Sequence, residues 1–111
     1  MGVVLRFTVN FARVLNERIY HNALELALKK EKLSYKRENA YKVLYQDVSV
    51  GNFKADLVIE DKVIVELKSL AGNIPKVFES QIISYLKASE LRVGLLVNFA
   101  NNSCQVRRFT N

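Results

Sequence analysis

The residues best suited to chemistry lie in one short stretch, FKADLVIEDKVIVELK at 53–68. Runs 53–60 and 62–68 read as two strands around Glu60-Asp61-Lys62. With those residues as the loop, Ile59 faces Val63, Val58 faces Ile64, Leu57 faces Val65, and Asp56 faces Glu66. Strand side chains alternate between faces. Leu57, Ile59, Val63 and Val65 then form one apolar face, while Asp56, Glu66 and Lys68 gather on the other. Opposed residues in an antiparallel pair lie about 5 Å apart at Cβ. Two carboxylates that close repel unless a proton or cation sits between them. A hard divalent ion such as Mg²⁺ or Mn²⁺ suits such an oxygen-rich site. An ammonium at Lys68 would orient or deprotonate a water, or neutralise charge on a phosphate.

The register decides this reading. A two-residue loop would shift the pairing by one and put Asp56 and Glu66 on opposite faces. The three-residue loop is preferred because it also gathers the apolar residues on one side. The competing interpretation is an exposed strand whose Asp, Glu and Lys form surface ion pairs of little energetic value.

The remaining elements must place this hairpin. Residues 10–32 read as a helix, with Leu15, Ile19, Ala23, Leu26 and Ala27 at helical spacing and Asn10 as N-cap. Residues 34–46 read as a strand, and Gly51-Asn52 as a turn. A second helix is expected over 76–89, with Phe78, Ile82, Tyr85 and Leu86 on one side. A buried strand follows at 91–99, then a turn at Asn101-Asn102 and a last strand at 103–109. Strands in a run followed by a helical crossover imply an α/β fold with a mixed central sheet flanked by helices.

Composition bounds the partners. The 111 residues are 50% hydrophobic, enough for one domain (1–111) with its own core. A single cysteine, Cys104, excludes a disulfide framework and any Cys-rich zinc site, and suits a reducing, cytoplasmic compartment. The longest uncharged apolar run, Val93 to Ala100, is far short of the ~20 residues that cross a bilayer, so no membrane span is expected. The balance of 17 Lys+Arg against 11 Asp+Glu, a net +6, favours an anionic partner, with nucleic acid ahead of a membrane surface.

Asp56 followed by Glu66-Leu67-Lys68 resembles the D…(D/E)xK signature of the PD-(D/E)XK nuclease superfamily. The order αβββαβ is similar to that superfamily's restriction-endonuclease-like core. More narrowly, the chain resembles the GxxExxY family. The resemblance rests on Glu17-Arg18-Ile19-Tyr20, on ADLVIEDKVIVELK at 55–68 and on ESQIISYLKASELRVGLLVNF at 79–99, and it covers about residues 14 to 109. Two departures stand out. Val14 occupies the position of the name-giving Gly, and Ala55 precedes Asp56 where the superfamily has Pro. The resemblance implies Asp56, Glu66 and the Leu67 carbonyl as ligands of Mg²⁺ or Mn²⁺, with Glu17 reaching the metal directly or through water. It implies Lys68 as the residue that positions or activates the water. Gln81 and Tyr85 match a QxxxY element that lies beside the site in RecB-like members.

The expected function is a metal-dependent nuclease that hydrolyses phosphodiester bonds in nucleic acid, DNA favoured over RNA. A homodimer would let two sites cut two strands. The rival is a catalytically idle nucleic-acid- or partner-binding module on the same fold. His21, one turn from Glu17, reads as a satisfied helix residue rather than a catalyst, and Cys104 as a small core residue. Tyr35, Tyr41 and Tyr45 read as sheet-packing residues.

Overall fold

The computed structural model describes residues 17–99 and 104–111. Helix α1 (Glu17–Lys30) buries Tyr20, His21, Leu24 and Leu28 along one stripe. The chain then stops being helical at Lys32, which takes a left-handed conformation (φ 57°). The Leu33 N–H returns to the Leu28 carbonyl at 3.0 Å and the Lys32 N–H to Lys29 at 3.1 Å. This is a Schellman stop with lysine in the position that glycine usually fills. The expected residues 10–16 of this helix, with Asn10 and Val14, lie outside the described residues.

Five strands follow in one sheet: β1 (Tyr35–Tyr45), β2 (Val48–Ile59), β3 (Val63–Lys68), β4 (Val93–Asn98) and β5 (Gln105–Thr110), in spatial order β1-β2-β3-β4-β5. Helix α2 (Lys76–Ser89) connects β3 to β4, which pair in parallel, and every other pairing is antiparallel. The architecture is the mixed α/β sheet expected, flanked by helices, with the expected run αβββαβ followed by one more strand.

The helices cover opposite faces. Tyr20, Leu24 and Leu28 of α1 pack with Leu57, Ile59, Val63, Val65, Leu67, Val97 and Phe99. On the other face, Ile82 and Leu86 of α2 meet Leu96, Val58 and Ile64. The approach of α2 is close at Gly94, where an added Cβ would lie 2.9 Å from Ile82 Cγ1 and Cδ1.

The turn expected at Gly51-Asn52 is corrected. The chain reverses earlier, at Gln46-Asp47, both left-handed (φ 50° and 64°), with Tyr45 opposite Val48. Gly51 instead pairs with Val43 beside a register shift. A glycine inside a strand commonly marks such a bulge, so the punctuation was present but meant something else. The hairpin tip exposes Leu44, Tyr45, Val48 and Val50.

A second irregularity lies closer to the carboxylates. Pairing of β1 with β2 skips the rung of Glu38 and Asp56, and Glu38 is left-handed (φ 49°). Alternation resets there. Tyr35 packs with the α1-side core, whereas Tyr41, six residues on, packs with the α2-side cluster. Phe53 and Ala55 likewise join Val58 on the α2 side. Tyr41 stacks on Phe53 (5.1 Å between centroids), and Phe53 lies parallel to Tyr85 at 3.9 Å. Tyr35 and Tyr41 are thus sheet-packing residues, but Tyr45 is exposed.

Candidate metal centre

The hairpin loop Glu60–Lys62 sets the register. Glu60 and Asp61 are both left-handed, and the Lys62 N–H donates to the Ile59 carbonyl at 2.9 Å. Ser34 Oγ donates to Glu60 Oε2 at 2.8 Å, and Lys36 Nζ pairs with Asp61 at 3.0 Å, which tie the loop to the start of β1. Ile59 opposes Val63, Val58 opposes Ile64 and Leu57 opposes Val65. Leu57, Ile59, Val63, Val65 and Leu67 all enter the α1-side core, so Glu66 and Lys68 belong to the α2 side. Asp56, at the rung where alternation resets, joins them there: it bonds to Glu66, and its charge acts on Tyr85 of α2.

At Asp56 the two strands stop forming a regular ladder. The Leu67 N–H, which the next rung would have directed to β2, donates to Asp56 Oδ2 at 2.7 Å. The Asp56 N–H donates to Glu66 Oε1 at 3.3 Å. Lys68, next along, gives its carbonyl to the Phe99 N–H on the β4 side (2.9 Å). Alternate residues of a strand turn their backbone groups to alternate neighbours, so the Leu67 carbonyl lies on the edge of β3 that faces Asp56. Two carboxylates and one carbonyl therefore converge where the strands part.

Glu66 is buried, and its carboxyl is raised from 4.5 to about 8. Burial is the largest cause, followed by the negative charge of Asp56. The Asp56 N–H and the Lys68 charge pull the other way. A nearby cation relieves the repulsion of such a pair, and its all-oxygen donor set fits a hard divalent ion.

Helix α2 supplies the roof. The Tyr85 hydroxyl is raised above its usual value first by burial, then by the charges of Glu66 and Asp56, while the nearby Gln81 amide lowers it. Gln81 and Tyr85 are therefore neighbours beside the acidic pair. Lys68 Nζ rests 4.4 Å from the centroid of the Phe78 ring. Asn98, fully buried, donates through Nδ2 to the Leu70 carbonyl (2.9 Å) and accepts the Leu70 N–H (2.8 Å), fixing the chain just past Lys68.

The profile of the PD-(D/E)XK nuclease superfamily matches residues 1–109. The chain belongs to this superfamily. In this PD-(D/E)XK protein Asp56, Glu66 and Lys68 share one face, at the point where β2 and β3 separate. A solved structure described as "Crystal structure of SSO0001" has a similar fold, with a TM-score of 0.64 and 20% identity over 84% of this chain and 48% of that one. The chain thus spans about half the length of that structure, and at this identity the likeness concerns the fold alone. No curated protein sequence matches the chain.

Glu17 is not gathered with the PD-(D/E)XK carboxylates. Among the described residues no three His, Cys, Asp or Glu side chains converge. Glu17 is exposed and opens α1, which packs on the opposite face of the sheet. One turn later Tyr20 stacks on Phe99 (4.5 Å), whose N–H binds Lys68, so Glu17 lies at the same end of β3 without joining the pair. His21 is buried on that other face, 3.3 Å from Glu25, which also meets Arg37 at 3.3 Å. Cys104 packs beside the α1-side core, and burial raises its thiol to about 11. Phe78 and Asn98 are the contributors that sequence reasoning missed. The one hint was the place of Phe78 on the stripe of Gln81 and Tyr85.

Proposed function

We propose that this chain hydrolyses phosphodiester bonds in nucleic acid, as a nuclease of the GxxExxY branch, with DNA as the favoured substrate and Mg²⁺ or Mn²⁺ as cofactor. The observation that carries the reading is the convergence of Asp56 and Glu66 where β2 and β3 part; burial and the charge of Asp56 raise the Glu66 carboxyl to about 8, in keeping with it. Asp56, Glu66 and the Leu67 carbonyl would hold the ion. When bound, a divalent cation polarises a phosphoryl oxygen and lowers the pKa of a coordinated water.

The side chains around the ion do the positioning. Lys68 would orient the attacking water and offset charge on the phosphate. Gln81 and Tyr85, neighbours at i and i+4 on α2, would contact the substrate beside the pair. The net +6 of the chain favours approach of a polyanion. Its single cysteine suits a reducing, cytoplasmic setting. No helix among the described residues is long and apolar enough to cross a membrane.

The deciding experiment is cleavage of single- and double-stranded DNA and RNA with Mg²⁺ or Mn²⁺, alongside Mn²⁺ titration calorimetry. Asp56→Ala and Glu66→Ala should lose both metal binding and cleavage, while Lys68→Ala keeps metal binding and loses cleavage. Nucleic-acid binding with no cleavage by the wild type in either metal would instead support an idle binding module. Light scattering in solution would test the homodimer that double-strand cleavage favours.

A further inference from the structure

Lys68 ends β3 half-buried on the face of the acidic pair. The ion pairs among the described residues are His21–Glu25, Lys36–Asp61, Arg37–Glu25 and Arg107–Glu79. Lys68 is in none of them. Its ammonium rests over the Phe78 ring, 4.4 Å from the centroid. Phe78 itself is anchored: it stands in the first turn of α2, its N–H bonded to the Pro75 carbonyl at 3.1 Å, and it packs against Ile74, Ile82 and Leu96.

We propose that Phe78 is a positioning residue for Lys68, its ring holding the ammonium on the face of Asp56 and Glu66 without a direct ion pair to either. The catalytic consequence rests on the nuclease reading above. A carboxylate partner would fix the lysine by cancelling its charge and occupying its donors. An aromatic face attracts the cation through its quadrupole, adds no net charge, and leaves the N–H donors for water or phosphate. Without such a restraint a lysine stem keeps several rotamers, and ordering them costs entropy at the moment of reaction.

The arrangement also makes α2 a single positioning element. Phe78, Gln81 and Tyr85 fall on one stripe of the helix, at i, i+3 and i+7. The Gly94–Ile82 contact sets the distance of that stripe from the sheet, and the Arg107–Glu79 pair (2.9 Å) ties its first turns to β5. The placement of Lys68 and of Tyr85 therefore depends on the seating of one helix.

The test compares Phe78→Leu, which keeps apolar bulk but removes the π face, with Phe78→Tyr and Phe78→Trp, which retain it. In the wild type the Lys68 ε-methylene protons should be shifted upfield by the ring current in NMR spectra. They should return to ordinary lysine positions in Phe78→Leu and stay shifted in the Tyr and Trp variants. In cleavage assays Phe78→Leu should lower kcat about 2- to 30-fold, the range of a cation–π contact, with KM and Mn²⁺ affinity unchanged and with recovery in Phe78→Tyr. Ordinary Lys68 shifts in the wild type, or a kcat loss that neither aromatic variant restores, would overturn the proposal. The wild-type spectrum decides the contact even where Phe78→Leu fails to fold. Absence of cleavage by the wild type in either metal would sink the nuclease reading, while the Lys68 shifts still decide whether the ring holds the ammonium.

Discussion

The Leu67 amide donates to Asp56 Oδ2 at 2.7 Å, in the place where a backbone carbonyl of β2 would otherwise accept. One carboxylate thus substitutes for a rung of the sheet and is aimed, by that bond, at the gap between β2 and β3. The structural and metal-binding roles of Asp56 are consequently separable by substitution. Asp56→Asn keeps an acceptor for Leu67 and should hold its melting temperature near that of the wild type while losing Mn²⁺ binding. Asp56→Ala should lose both, with a stability cost of about 1–3 kcal/mol for the orphaned amide. Hydrogen exchange at the Leu67 amide distinguishes the two: faster in Asp56→Ala, near wild type in Asp56→Asn.

Glu66 makes the metal-free protein sensitive to pH. Its folded value of about 8 lies above the ordinary 4.5, so the folded chain keeps a proton that the unfolded chain has released. The associated stability is fully present below about 4.5 and is lost as pH rises toward 8, an effect on the order of a few kcal/mol. Denaturant melts between pH 5 and 9 should show that decline, Mn²⁺ should reverse it, and Glu66→Gln should flatten it.

The same group couples metal to protons. Below about pH 8 the ion must displace the Glu66 proton, so Mn²⁺ affinity should rise with pH and level off above that value. Calorimetry at pH 6.5 in buffers of different ionisation enthalpy should report proton release. A binding enthalpy independent of buffer would contradict this assignment.

Gly94 sets the seat of α2. An added Cβ would meet Ile82 Cγ1 and Cδ1 at 2.9 Å and Leu86 at 3.3 Å, and both side chains are buried with little room to move. Gly94→Ala should therefore cost about 1–3 kcal/mol. It should also reduce cleavage, because the displaced helix carries Phe78, Gln81 and Tyr85. Combination with Ile82→Val, which removes Cδ1, should recover part of the stability, measured by thermal melting.

Glu17 offers the opposite kind of test. Because α1 packs on the far face of the sheet and Glu17 is exposed, Glu17→Gln should leave Mn²⁺ affinity within about twofold of wild type. A larger loss in calorimetry would show that it reaches the ion after all.

Much of the hairpin that carries the acidic pair is legible along the chain. The apolar alternation of 57–65 and the loop 60–62 specify the register of the hairpin, because a slip of one residue would turn every apolar side chain toward α2. The superfamily, the order of the elements among the described residues and the nearness of Gln81 to Tyr85 follow from local periodicity and motif. Tertiary structure decided the rest. The bulge at Gly51 and the left-handed Glu38 opposite Asp56 are two-strand properties, since a residue's face depends on what its partner strand does. That reset brings Phe53 onto Tyr85 and leaves Tyr35 and Tyr41 on opposite sides. The seating of Phe78 under Lys68 and the separation of Glu17 from the carboxylates depend on which face of the sheet each helix covers. No spacing along the chain encodes that choice, because it is made by the packing of both helices against one sheet.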